Sequence, residues 1–250
     1  MHKFFTPSNL FEDGFAFIEG DDVKHIFKVL RLGVGDNLVI NNLQGEEFLG
    51  VIEESTKQRI TVKLLEKLTI NNESNLRITL YQGMPKAGKM DLIVQKTTEL
   101  GVRAIVPVIT DRVDVILKGD FKKLDRLQRI ALEASKQSKR TIIPEVLEPI
   151  SFDILLGELK SYDLVVVPYE NQENYGLKAA LKNIDINTID KIAIVIGPEG
   201  GFTEEEINVL KDIGAEIITL GPRILRTETA GVVTASLLQY EMGDLGGRKE

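Results

Sequence analysis

Apolar and polar positions alternate in short runs through the first 70 residues of the chain, and tight Gly-Asp and Asn-Asn turns separate the runs. Such runs predict β-strands. The four strand candidates are FAFIEG (15–20), NLVINN (37–42), EEFLGVIEES (46–55) and QRITVKLLEKLTI (58–70). One helical pattern interrupts them, from Asp21 or Asp22 to Leu32, and Gly33 is expected to end it. This part of the chain predicts a small β-barrel.

From Leu76 onward the pattern changes to strands and helices in alternation. The strand candidates are 76–82, 104–109, 163–168, 192–196 and 216–220. The helix candidates are 88–100, 121–138, 152–160, 203–213 and 228–242. Alternation of this kind favours an α/β fold, with a parallel sheet covered by helices on both faces. The polar stretch NNESN (71–75) is the expected linker, which divides the chain into domains 1–72 and 73–250.

The composition excludes several classes of protein. A chain of 250 residues without cysteine forms no disulfide or thiolate metal site, and with two histidines a His-rich metal site is not expected. No apolar run is long enough to span a membrane, and the N-terminal stretch MHKFFTPSNLFEDGF carries acidic residues and a proline too early for a secretory signal. We therefore expect a cytoplasmic protein without metal or membrane partners. The net charge of −7 argues only weakly against a nucleic-acid partner, because charge is unevenly distributed.

The stretch YQGMPKAGKMD (81–91) nearly matches a phosphate-binding loop, because Gly83, Gly88 and Lys89 fit G-x-x-x-x-G-K. Met90 stands where that motif needs Ser or Thr to hold Mg²⁺. An ATP- or GTP-using enzyme is therefore the weakest of three interpretations. The others are a loop of solvated lysines and a basic loop that faces an RNA backbone through Lys86 and Lys89.

A second glycine loop follows a buried strand in KIAIVIGPEGGFTEEEI (191–207). Thr203 and Glu206 have the spacing of a capping box at the start of the next helix. The segment is either a tight structural turn or a ligand loop whose glycines allow close approach. Glu199 and the following acidic residues would repel a pyrophosphate, so a neutral or cationic cofactor fits better than a dinucleotide.

A third loop, in IITLGPRILRTETAGVVTASLLQ (217–239), repeats the strand, glycine-proline and helix order. Ile224 and Leu225 either fill a core or form an apolar wall. Two such loops after successive strands predict the walls of a pocket for a flat ring.

Residues 121–140 hold seven basic and two acidic side chains. Lys122, Arg126, Arg129, Lys136 and Arg140 are spaced to share one face of a helix, while Phe121, Leu124, Leu127, Ala131 and Ala134 are expected to face the core. A solvated amphipathic helix would show the same pattern. The local excess of positive charge favours a polyanion partner.

IGPEGGFTEEEI (196–207) and LGPRILRTETA (220–230), together with KTTELGV (96–102) and EASKQSKR (133–140), resemble the SPOUT-class uridine N3-methyltransferases of bacterial small-subunit ribosomal RNA. HIFKVLRLGVGD (25–36) resembles the opening of that family's PUA-like barrel. The resemblance covers essentially the whole chain in order. It implies an N-terminal PUA-like β-barrel that binds RNA and a C-terminal SPOUT α/β domain with a deep trefoil knot.

The resemblance also implies S-adenosyl-L-methionine as cofactor, a homodimer, and ribosomal RNA or the assembled small subunit as partner. The cofactor residues implied by position are Val167, Pro168, Tyr169, Ile196, Gly197, Pro198, Glu199, Gly200, Gly201, Leu220, Gly221, Arg223, Ile224, Leu225 and Arg226. We expect RNA to contact Lys24, His25, Arg31, Lys86, Lys89, Arg103, Arg112, Arg129, Lys136, Lys139 and Arg140.

Methyl transfer to N3 of uridine requires removal of the N3 proton, and negative charge then develops on the uracil oxygens. Arg226 is the expected catalytic residue that stabilises this charge. Glu228 could accept the proton or merely cap a helix, and sequence alone leaves this open. A non-catalytic RNA-binding protein is the remaining alternative.

Overall fold

The computed structural model describes residues 1–69, 72–86, 88–114, 121–182 and 184–247. The chain forms two compact units, Met1–Glu73 with Ser135–Ile143, and Ser74–Ala134 with Pro144–Glu250. Residues 135–143 thus lie in the first unit, although the sequence placed them in the second domain. Their place there is fixed partly by Asn41, whose side-chain amide donates to the Thr141 carbonyl at 2.8 Å. The division into domains 1–72 and 73–250 stays a prediction, and Asn71 of the expected linker lies outside the described residues.

The first unit contains a six-stranded sheet in the order β1-β4-β5-β6-β3-β2, in which only the β1–β4 pair is parallel. Its strands are β1 Lys3–Phe5, β2 Phe11–Glu12, β3 Phe15–Glu19, β4 Asn37–Asn41, β5 Glu47–Ser55 and β6 Arg59–Leu68. The four strands predicted from alternation are confirmed as β3 to β6. Two short edge strands, β1 and β2, have too few residues to show a period.

The predicted helix of the first unit consists of α1, Asp21–Lys24, followed by a π-helical segment at His25–Leu30. It ends at Arg31, which adopts a left-handed conformation with φ 54°. The prediction that Gly33 ends the helix was wrong. The Gly33 amide instead donates to the Asp36 carboxylate at 2.8 Å, as part of the following turn.

The second unit contains a parallel sheet in the order β10-β8-β7-β12-β11-β13, with β9 also paired to β8. Its strands are β7 Arg77–Gly83, β8 Ala104–Ile109, β9 Glu145–Val146, β10 Ile150–Ser151, β11 Leu164–Pro168, β12 Lys191–Ile196 and β13 Glu216–Ile218. The five predicted strands and the parallel sheet are confirmed. Among the described residues of this unit, the strands that were not predicted are β9 and β10, with two residues each.

Helices cover both faces of this sheet. The helices from Lys89 onward are α2 Lys89–Glu99, α3 Leu124–Ser138, α4 Phe152–Leu159, α5 Leu177–Leu181, α6 Glu204–Asp212 and α7 Thr227–Glu241. The last four residues of α3 belong to the first unit. Tyr81 of β7 packs in one core cluster with Leu155 of α4 and Ile207 of α6. The neighbouring Leu80 points to the other face, where a β-carbon on Gly231 of α7 would lie 3.6 Å from its methyl carbons. The five predicted helices are confirmed, and α5 was missed.

Since β11, β12 and β13 are parallel neighbours, the segments that follow them leave the sheet at one edge. Ligands of open α/β sheets bind at this edge. Across the described ranges, no helix has the length and apolar character that crossing a membrane requires.

Candidate active site

A cleft of about 900 Å³ lies where the segments after β11, β12 and β13 meet the start of α7. Its walls are formed by Pro168–Glu170 and Gln172–Asn174 after β11, Ile196–Glu199 with Gly201 and Phe202 after β12, Thr219–Arg226 after β13, and Lys89, Thr227 and Ala230. The two glycine loops are thus brought together as two sides of one cleft. This is the arrangement that the sequence predicted.

The loop after β12 depends on glycine at two positions. Gly201 has φ 66°, and a β-carbon there would collide with the Glu170 carboxylate. A β-carbon on Gly197 would lie 3.2 Å from the Phe202 ring, which is closer than most side chains tolerate. The predicted capping box is confirmed, because Glu206 N–H donates to Thr203 Oγ1 at 3.1 Å and Thr203 N–H donates to Glu206 Oε2 at 2.9 Å.

The loop after β13 passes through Gly221, whose φ is 109°. The side chain of Ile224 is 85% exposed, so it does not fill a core. Of the two alternatives for the Ile224-Leu225 pair, the structure supports an apolar wall of the cleft.

Thr227 joins the two glycine loops to the sheet. Its hydroxyl donates to the Gly197 carbonyl at 2.6 Å and accepts from Gln82 Nε2 at 2.8 Å. Gln82 is completely buried at the end of β7. Gln82 was not predicted, because a single glutamine in an apolar strand carries no local signal of its partner 145 positions away.

Lys89 lies in the cleft between two carboxylates. Its Nζ is 3.0 Å from Glu199 Oε1 and 3.1 Å from Glu228 Oε2. Hydrogen bonds to Glu199 and Glu228 raise the pKa of Lys89 above its ordinary value. Burial works to raise the pKa of Glu199, but the hydrogen bond from Lys89 and those from the backbone outweigh it, and the net pKa lies below the ordinary value. The prediction that Lys89 is a point charge of a loop that faces an RNA backbone is corrected, since the Glu199 and Glu228 carboxylates neutralise it.

The loop that resembles a phosphate-binding motif has other partners. A β-carbon on Gly83 would lie 2.5 Å from the Pro198 nitrogen, so this glycine permits contact between two loops. The backbone amide of Lys86 donates to Glu199 Oε1 at 3.0 Å. The ammonium group of Lys86 lies 2.8 Å from the Asp114 carboxylate, and the hydrogen bond between them raises the pKa of Lys86. Met90 is buried. These contacts explain Gly83, Lys86 and Lys89 without a bound triphosphate. Ala87 of the same loop lies outside the described residues.

Most of the predicted cofactor residues line the cleft, and the exceptions are Val167 and Gly200. The Val167 side chain is fully buried in the core of the sheet. Gly200 faces Arg112, whose Nη1 donates to the Gly200 carbonyl at 3.2 Å. The wall formed by Glu170 and Gln172–Asn174 was missed, because it carries no glycine motif.

The predicted RNA-contacting residues differ in exposure. Those with exposed side chains are Lys24, His25, Arg31, Lys86, Arg103, Arg112, Arg129 and Lys139. Lys136 is half-buried, with its Nζ 3.6 Å from Asp22.

Arg140 is the exception among these basic residues. Only 3% of its side chain is exposed, and it pairs with Glu73 through an Nη2–Oε2 distance of 2.6 Å. Helix α3 ends at Ser138, and Lys139 has φ 60°, so Arg140 does not continue the basic face of the helix. The prediction that Arg140 contacts RNA is therefore corrected: it is a structural residue of the first unit.

The chain matches a family model of the RNA methyltransferase domain over residues 72–239 and a model of the RNA methyltransferase PUA domain over residues 18–65. It is 35% identical to the ribosomal RNA small subunit methyltransferase E of Bacillus subtilis, with 99% of each chain covered. It is 32% identical to the same enzyme of Aquifex aeolicus, with 95% of this chain and 99% of that protein covered.

Among solved structures, the chain is similar to a ribosomal RNA small subunit methyltransferase E of Neisseria gonorrhoeae bound to S-adenosyl methionine. The TM-score is 0.83 at 33% identity, with 98% of this chain and 99% of that chain covered. A Legionella pneumophila putative methyltransferase with bound SAM gives a TM-score of 0.82 at 32% identity, covering 97% of this chain and 98% of that chain.

The fold is thus that of an RNA methyltransferase. The chain belongs to the ribosomal RNA small subunit methyltransferase E family.

Proposed function

We propose that this protein transfers the methyl group of S-adenosyl-L-methionine to N3 of a uridine in the 16S ribosomal RNA of the small subunit. Apart from family membership, one observation supports the proposal: the two glycine loops and the segment after β11 line the same cleft. Three strands therefore contribute to a single site large enough for a nucleoside-sized cofactor.

The chemistry of the walls suits this cofactor. The acidic residues that line the cleft are Glu170, Glu173 and Glu199, and the basic ones are Lys89, Arg223 and Arg226. This mixed charge suits S-adenosyl-L-methionine, which carries a sulfonium, an ammonium and a carboxylate group. Apolar surfaces from Ile196 and Leu225 offer contacts for an adenine ring, and loop backbone groups can satisfy its polar edge. When bound, S-adenosyl-L-methionine supplies an electrophilic methyl group on a cationic sulfur.

Arg226 is the residue that we propose to stabilise the reacting uracil. Its side chain is 81% exposed, and its Nη1 lies 4.0 Å from Glu228 Oε1 at the mouth of the cleft. A guanidinium that is not enclosed by protein can reach the uracil oxygens, where negative charge grows as the N3 proton leaves. Correct placement of the two reactants can supply roughly 7–11 kcal/mol of the acceleration.

RNA binding is proposed for each unit separately. In the first unit, Lys24, His25 and Arg31 are exposed on and beside the π-helical segment, and they suit a phosphate backbone. In the second unit, Arg103, Arg112 and Arg129 are exposed, as is Lys86. Lys136 and Lys139 belong to the first unit and add to its basic residues, with Lys136 Nζ 3.6 Å from Asp22.

A trefoil knot, a PUA-like barrel, a homodimer and a cytoplasmic location remain parts of this proposal. The knot is supported by the path of the chain, which leaves the edge strand β13 and returns in α7 to pack on the central strands β7 and β12. The dimer is supported by apolar side chains exposed on the packed pair α2 and α7, namely Leu92, Leu237 and Tyr240.

Calorimetric titration tests the cofactor. We expect saturable binding of S-adenosyl-L-methionine to the purified protein and no binding of ATP with Mg²⁺. Binding of ATP alone would contradict the proposed use of both glycine loops and revive the near-match at residues 83–89.

A further inference from the structure

The carboxylate of Glu228, in the first turn of α7, lies between two cations that line the cleft. Its Oε2 is 3.1 Å from Lys89 Nζ, and its Oε1 is 4.0 Å from Arg226 Nη1. Only 13% of the side chain is exposed. Lys89 and Arg226 both line the cleft, so the Glu228 carboxylate lies within 4.0 Å of two cations of the cleft wall.

The other carboxylate bound to Lys89, that of Glu199, has a different environment. Both of its oxygens accept from the Lys86 amide, at 3.0 and 3.3 Å, in addition to the ion pair with Lys89. Hydrogen bonds to an ionised carboxylate favour that state, so Glu199 is held as an anion that does not readily take up a proton. Glu228 Oε2, apart from its ion pair with Lys89, has no hydrogen-bond donor among the described residues.

We propose that Glu228 is the proton acceptor for the uridine N3–H and that Lys89 is a positioning residue for it; this assignment rests on the proposed function. The N3–H bond breaks and its proton passes to a Glu228 oxygen. The N3 electron pair forms the bond to the methyl carbon, and the carbon–sulfur bond breaks with its electron pair remaining on sulfur. Glu228 then returns its proton to water.

The positions of the neighbouring cations suit these roles. Lys89 bridges two carboxylates and holds Glu228 Oε2, while Glu228 Oε1 is the oxygen near Arg226, a residue of the cleft wall. Arg226 is exposed and can follow the uracil oxygens as charge moves onto them. One group thus receives the proton while its neighbour stabilises the charge that the proton leaves behind.

The assignment is tested with two RNAs, transcribed with uridine or with 5-fluorouridine. Fluorine makes the N3–H more acidic and so reduces the need for a protein base. We expect Glu228→Gln to lower kcat on the uridine RNA by about 10²-fold, the usual size of a general-base contribution. On the 5-fluorouridine RNA the loss should be roughly tenfold smaller, since less of the reaction depends on the base.

Glu199→Gln is the matched control, because it neutralises the other carboxylate of the same lysine. Whatever the size of its effect, Glu199→Gln should lower kcat by the same factor on both RNAs. Lys89→Met should behave like a weaker Glu228→Gln, and Glu228→Asp, which keeps a carboxylate, should recover part of the turnover. Glu228→Gln should change the affinity for S-adenosyl-L-methionine, measured by calorimetry, by less than about threefold. Such a result shows that the variant is folded.

An equal loss on both RNAs for Glu228→Gln would overturn the assignment and make Glu228 a structural partner of Lys89. Full activity of Glu228→Gln would overturn it as well. Both results leave the proposed function intact. Absence of 3-methyluridine with the unaltered protein would instead contradict the proposed function itself, and this assignment with it.

Discussion

The Thr227 hydroxyl donates a hydrogen bond of 2.6 Å to the carbonyl of Gly197, which ties the first residue of α7 to the loop that follows β12. The same hydroxyl accepts from the buried amide of Gln82. Both glycine loops of the cleft are thereby held against the end of β7.

Thr227→Val should therefore damage both stability and cofactor binding. The change leaves the buried Gln82 amide with one partner fewer, and an unsatisfied buried group costs about 1–3 kcal/mol. We expect a loss of that size in the free energy of unfolding, measured by denaturant titration, with weaker binding of S-adenosyl-L-methionine. Thr229→Val, at an exposed position of the same helix, is the control and should change neither quantity. Equal behaviour of the two variants would show that the bond is unimportant.

Arg226→Ala should remove most turnover while cofactor affinity stays within about tenfold, as expected for a group that acts on the transition state. The physical reason is its exposed position at the mouth of the cleft. Single-turnover rates and calorimetry measure the two quantities separately. Equal losses of binding and turnover would make Arg226 a cofactor-binding residue instead.

Arg129→Glu should weaken binding of small-subunit RNA and reduce its salt dependence. Each lost phosphate contact lowers the slope of log K against log salt by about one. Filter binding at several salt concentrations measures this slope. The exposed Lys160, beyond the end of α4, provides the control Lys160→Glu. If both reversals have the same small effect, the exposed face of α3 is merely solvated.

Arg140→Met should act on stability rather than on RNA. Removing one partner of a buried ion pair lowers the free energy of unfolding by about 3–5 kcal/mol. Lys139→Met, at the exposed neighbouring residue, is the control and should lower it far less. Burial works to raise the Glu73 pKa, but hydrogen bonds and charge from Arg140 outweigh it, so the pKa lies below its ordinary value of 4.5.

The lowered Glu73 pKa also predicts a pH dependence. The stabilisation from Glu73 is present above its unfolded pKa and is lost as pH falls through the lower folded pKa. The difference in unfolding free energy between Arg140→Met and the unaltered protein should therefore shrink in acid. A difference that does not change with pH would contradict the ionic origin of the stabilisation.

The strands, the helices and the two glycine loops could be predicted because their signals are local. Thr203 and Glu206 form the capping box that their spacing indicates, and the Ile224 loop forms a cleft wall. Lys89 and Arg140 were misplaced because their partners, Glu228 and Glu73, lie far away in the chain. A basic residue shows its charge in sequence, but the carboxylate that neutralises it is found only in the fold.

The most direct test of the account is nucleoside mass spectrometry of small-subunit ribosomal RNA after incubation with the protein and S-adenosyl-L-methionine. Free RNA and small subunits isolated without this modification are assayed in parallel. We expect 3-methyluridine to appear in at least one substrate, only with the cofactor, and to be greatly reduced with Arg226→Ala. Methylation at another uracil atom or on another base, or no methylation of either substrate, would contradict the account.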